Sequence, residues 1–181
     1  PALLKIVPPD MGSRYDQATL LLILRMITKK KVDFQPWVHV KSHQGIIKCT
    51  LYQHKHRSDL SISTSALSYR DFSIVEAKFE YFSHDYSIEQ YSILPQHPLE
   101  QPTIHQQPQL RKVRKYLQHC LLHRINIHKK HYRLPTERQF DFRMQILFGS
   151  DTAKGHSVLE LIVTDCLGLL ARVMDVFKRQ E

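Results

Sequence analysis

The 181-residue chain carries 26 Lys and Arg against 17 Asp and Glu, a formal charge of +9, with 42% hydrophobic and 24% charged residues. This content suffices for one or two small packed domains and excludes a disordered tail, and the longest apolar run, Leu20 to Leu24, is too short to span a bilayer. Three scattered cysteines, Cys49, Cys120 and Cys166, give neither a disulfide framework nor a CxxC zinc spacing; a reducing, cytoplasmic compartment is expected.

The Pro-rich opening has no signal-peptide pattern and reads as a piece cut from a longer chain. From Arg14 to Lys31, Ala18, Leu21, Leu22, Arg25 and Met26 follow helical spacing, and Pro36 excludes continuation. Trp37 to Val40 suits a short strand before a turn around Gly45. In Ile47 to Tyr52 apolar Ile47, Cys49 and Leu51 alternate with Lys48 and Thr50, the period of a half-buried strand. Ser58 then suits a helix cap, with Asp59 in the first turn and Ile62, Ala66 and Tyr69 as the apolar stripe.

Val75, Ala77, Phe79 and Tyr81 alternate with Glu76, Lys78 and Glu80, and Tyr86 to Leu94 returns after a turn at Ser83-His84-Asp85, so a hairpin is expected. The alternation of the returning strand shifts near Gln90, as a bulge would shift it. A Pro- and Gln-rich loop over 95–108 leads to a helix whose stripe is Leu110, Val113, Leu117, Leu121 and Ile125. Beyond a basic connection, Phe140, Phe142, Met144, Ile146 and Phe148 mark another strand. Val158 to Thr164 then reads as a strand and Leu170, Val173, Met174 and Phe177 as a helix stripe. From Ile46 to Phe148 the order is strand, helix, strand, strand, helix, strand. The expected fold class is therefore α+β, a ferredoxin-like βαββαβ plan with an antiparallel sheet and two helices on one face.

The stretch Val158-Leu-Glu-Leu-Ile-Val-Thr-Asp165-Cys-Leu-Gly168-Leu-Leu-Ala-Arg172-Val resembles the opening of an ACT domain, a strand followed by Asp-x-Pro-Gly-Leu-Leu and a helix. Cys49-Thr-Leu-Tyr-Gln-His-Lys-His-Arg57-Ser-Asp59-Leu is similar in a more divergent form, and Phe72 to Ser83 resembles the second ACT strand. The arrangement resembles the C-terminal region of the bifunctional PII uridylyltransferase/uridylyl-removing enzymes, which carries two ACT domains. The resemblance implies a lead-in at 1–42, a first ACT-like domain at 43–149, and the truncated start of a second at 150–181. It also implies glutamine as effector, the PII protein as partner through the parent enzyme, and ACT–ACT pairing. The nucleotidyltransferase and metal-dependent hydrolase domains, with their magnesium, would lie upstream, and no cofactor is expected in this chain. Leu167 stands where the pattern has Pro, and Ser58-Asp59 where many ACT domains have Pro-Gly.

By the resemblance, the ligand-binding candidates are Asp165, Gly168 and Leu169, and secondarily Arg57, Ser58 and Asp59. A helix starting near Gly168 offers free N–H groups to a carboxylate, and Asp165 offers a partner for an ammonium. The simpler alternative is that Asp165 caps the helix and Gly168 makes the turn. With the second unit incomplete, the Val158 strand should pair with the first unit or another chain, or stay unpaired. His84-Asp85 reads as a turn rather than a metal site, and Gly12 to Asp16 as a helix cap. From Gln101 to Thr136 there is no acidic residue, but the phenylalanines lack the basic, glycine-containing context of RNA-binding sheets, so nucleic acid is not the expected partner. The alternative is a stand-alone ferredoxin-like protein that binds a small molecule or RNA.

Overall fold

A computed structural model describes residues 15, 17–28, 35–70, 72–81, 86–95, 106–125, 127, 145–151, 156–163 and 167–180. Its elements in order are α1 (Gln17–Thr28), β1 (Trp37–His43), β2 (Ile46–His54), a 3-10 turn (Lys55–Arg57), α2 (Leu60–Tyr69), β3 (Phe72–Tyr81), β4 (Tyr86–Pro95), α3 (Gln106–Leu122), β5 (Gln145–Asp151), β6 (His156–Ile162) and α4 (Leu169–Lys178). Four strands form an antiparallel sheet in the order β1-β2-β4-β3, and β5 and β6 form a separate two-stranded sheet.

The first hairpin closes on two residues, Gln44 (φ 50°) and Gly45 (φ 80°), between the paired His43 and Ile46. Positive φ at both central positions is the type I′ turn, one of the two-residue hairpin turns whose twist matches that of the strands. The sequence assigned residues up to 42 to a lead-in. Instead, β1 is an edge strand of this sheet, and it occupies the place beside β2 that the strand around Phe140–Phe148 was expected to fill. Gln145–Asp151 pairs with β6, while Phe140, Phe142 and Met144 lie outside the described residues. The Val158 strand thus has a partner, a preceding strand of its own. Order and pairing remain compatible with a ferredoxin-like plan: β2 and β3 are parallel, joined through α2, with β4 between them.

One core fills the space between the sheet and helices α2 and α3. Ile47, Cys49 and Leu51 of β2 and Tyr91 and Ile93 of β4 meet Ile62, Ala66 and Leu67 of α2 and Leu117, Cys120 and Leu121 of α3. The opposite face takes α1, whose Ile23 is buried on Ile88 with Tyr52 beside them. This second covering helix was not expected from the βαββαβ plan.

Helix α2 is buried from Ser61 to Ser68, with the sheet, α3 and α4 around it. Its small serines permit that crowding only because their hydroxyls have partners. Thr64 Oγ1 donates to the Leu60 carbonyl (2.6 Å), Ser65 Oγ to Ile62 (3.0 Å) and Ser68 Oγ to Thr64 (2.9 Å), so these hydroxyls are not stranded on desolvation.

Three local expectations differ. The alternation of β3 does not bury Val75 (53% exposed), Ala77 or Tyr81, because β3 is the outer strand. The bulge lies in β3, between Ile74 and Glu76, rather than near Gln90. Helix α4 buries Ala171 and Asp175, while Phe177 of the expected apolar stripe is 50% exposed. A small and polar face docks on α2; of the apolar stripe only Leu170 reaches the main core.

Candidate functional site

The segment linking β2 to α2 holds Arg57, Ser58 and Asp59, and its side chains part in two directions. Asp59, rather than Ser58, is the N-cap: its backbone is extended, and Oδ1 accepts from the Ser61 N–H (3.1 Å) and hydroxyl (2.6 Å). Its other oxygen, Oδ2, accepts from Lys178 Nζ at the end of α4 and lies 4.0 Å from Arg124 Nη2 in the turn after α3. One carboxylate therefore ties together the start of α2, the end of α4 and the end of α3. Burial pushes this carboxyl up, but the Lys178 and Ser61 hydrogen bonds outweigh burial and hold it below its ordinary value. Arg57, in the 3-10 turn, is half-buried.

Ser58 turns inward instead, and Ser58 Oγ donates to Glu89 Oε1 (3.2 Å). Glu89 is fully buried on β4. It also accepts from Gln53 Nε2 (2.5 Å) and from the Tyr91 hydroxyl (2.9 Å), and Tyr91 shares a 2.8 Å hydrogen bond with Ser63 of α2. Burial pushes the Glu89 carboxyl up, with the hydrogen bonds pulling the other way. A fully buried carboxyl held by three donors rigidifies the β2–α2 segment. The sequence reading missed Glu89 and Gln53. The available signal was a charged residue at the inward position between Ser87 and Tyr91.

At the other loop, Gly168 is the N-cap of α4 with φ 82°, and Leu169 opens the helix, half-buried. Asp165, and with it the question of whether it caps or binds, lies outside the described residues. Since Lys178 reaches the start of α2, the two helices run antiparallel. Gly168 is then about 15 Å along α4 from the Asp59 end, at 1.5 Å rise per residue. The two candidate loops are therefore not brought together.

Burial pushes the Cys49 thiol up to about 12, which removes it as a nucleophile at neutral pH. His84, Asp85 and Gly12 to Arg14 lie outside the described residues. Among the described residues no group of three or more His, Cys, Asp and Glu side chains is placed to hold a metal ion. No described helix is long and apolar enough to cross a membrane. Helix α3 exposes Arg111, Lys112, Arg114 and Lys115, while its Leu117 and Leu121 are buried. No protein-family model matches this chain, and no curated protein matches it significantly.

Proposed function

We propose that this chain is a regulatory, amino-acid-sensing region built from two ACT-type units, the glutamine-responsive part of an enzyme that uridylylates and deuridylylates the PII protein. The observation that carries this reading is a repeat of structure. A hairpin followed by a helix occurs at 37–69 and again at 145–178, with comparable lengths and antiparallel pairing both times. The second copy has a left-handed glycine at its strand-to-helix corner, in the sequence stretch that resembles an ACT ligand loop. The repeated helices pack on each other, as paired sensing units would. In this reading the backbone N–H groups at the start of α4, beside Gly168, receive the carboxylate of the amino acid.

Calorimetric titration of glutamine tests the reading, using this chain and one extended through a full second unit. The extended chain is expected to bind glutamine more tightly, and in preference to glutamate. Absence of saturable binding in both would overturn the proposal. Equal binding by both would move the site to Arg57, Ser58 and Asp59.

Gly168→Val is expected to abolish glutamine binding and to cost about 1–2 kcal/mol of stability, because a β-branched residue is strained at φ 82°. Gly168→Asn, which tolerates the left-handed region, should lose less stability in urea denaturation.

A further inference from the structure

The sheet face that carries α1 is organised in rungs across the four strands. In one rung the apolar pair Tyr52 and Ile88 receives Ile23 of α1. The next rung places Thr50 of β2 beside Gln90 of β4 and Lys78 of β3. The third runs Lys41, Lys48, Ser92, Glu76 from one edge of the sheet to the other. These two polar rungs floor a pocket of about 190 Å³, walled on one side by Tyr15 and by Thr19 of α1.

The charge in this pocket is unbalanced. Glu76 is its one carboxylate, and it is engaged by the Ser92 hydroxyl at 3.1 Å and by Lys78 at 3.4 Å. Lys41 and Lys48 face each other directly across the β1–β2 ladder; among the described residues neither lies within ion-pair distance of a carboxylate, and Glu76 acts on Lys48 only from farther off. Like charges directly opposite one another in a sheet are destabilising. An anion between the two lysines would turn that repulsion into two charge-assisted hydrogen bonds.

We infer that this pocket binds a compact anion of at least two negative charges, a phosphate or a dicarboxylate, held between Lys41 and Lys48. Gln90 and Thr50 supply neutral donors, and the engaged Glu76–Lys78 pair closes the site on the β3 side. The pocket lies on the opposite face of the sheet from α2 and α4. It is therefore separate from the glycine corner at Gly168 and stands independently of the glutamine reading.

The test is thermal unfolding of the whole chain in inorganic phosphate, in succinate, and in chloride at matched ionic strength. Phosphate or succinate is expected to raise the midpoint in a saturable way beyond chloride, and the more effective of the two identifies the anion class. Lys48→Met and Lys41→Met should each weaken the apparent affinity about tenfold or more. Lys112→Met, on the exposed face of α3, should leave it unchanged. Without added anion, Lys48→Met should be at least as stable as the unmodified chain, since one of two facing charges is gone; this separates loss of binding from loss of fold. A midpoint no higher in phosphate and succinate than in chloride would overturn the inference. So would a Lys48→Met variant that responds as the unmodified chain does.

Discussion

Glu89→Leu is expected to destabilise the fold by about 3–4 kcal/mol, because Gln53, Ser58 and Tyr91 would each keep a buried donor with no acceptor. Ser63 can satisfy Tyr91 in part, since the two already share a hydrogen bond. Glu89→Gln behaves differently, because it preserves an acceptor without an ionisable proton. In the unfolded chain Glu89 ionises near 4.5, whereas burial makes the folded chain hold the proton to higher pH. The native state therefore loses stability as pH rises from about 4.5 through the raised folded value, and is unaffected by this group below that window. Denaturation midpoints of the two chains should diverge in favour of Gln as pH rises through the window. A pH-independent difference would mean that Glu89 does not titrate with folding.

Asp59→Ala should cost about 2–3 kcal/mol. Loss of the N-cap accounts for about 1 kcal/mol, and the rest comes from the charge-assisted bond to Lys178, discounted because that lysine is 45% exposed. The folded carboxyl lies below its ordinary value, so this stabilisation is present above the ordinary carboxylate range and is lost as pH falls through the depressed value. Lys178→Met should reproduce part of the loss, and a double-mutant cycle should give a coupling energy of about 1 kcal/mol. No coupling would mean that α4 is not anchored through this pair.

The elements were legible wherever period and punctuation agreed. The Gly45 turn, the two strands flanking it, the Ile62–Ala66 stripe and the Leu117–Leu121 stripe all lie where local pattern put them. Partner choice was not legible. A strand at Trp37–His43 and one beginning near Phe140 both suit the open side of β2, and alternation alone does not say which pairs there. The parity shift near Gln90 misled for a chemical reason: Glu89 points inward, so the strand is regular and the irregularity is one of polarity. The stripe on α4 failed because α2 presents small hydroxyl-bearing side chains and a capping carboxylate, which select Ala171, Asp175 and Lys178 instead of Phe177. Of the candidate site, the left-handed corner at Gly168 was readable from glycine in its motif. The three-helix junction at Asp59 was not, because Lys178 and Arg124 are remote in sequence.

The order β1-β2-β4-β3 has a kinetic consequence. Two of its three pairings, β1 with β2 and β3 with β4, join chain neighbours, and loops that short close cheaply. Only the β2–β4 seam, where Leu51 meets Glu89, unites distant stretches, and α2 must be laid across before it can form. The seam should therefore be the rate-limiting contact, with both hairpins preformed. On that basis Leu51→Ala should slow refolding nearly in proportion to its loss of stability, whereas Ala171→Gly in α4 should mainly hasten unfolding. Stopped-flow chevrons of the two variants would distinguish this from a route in which α4 docks first, where both substitutions would slow refolding alike.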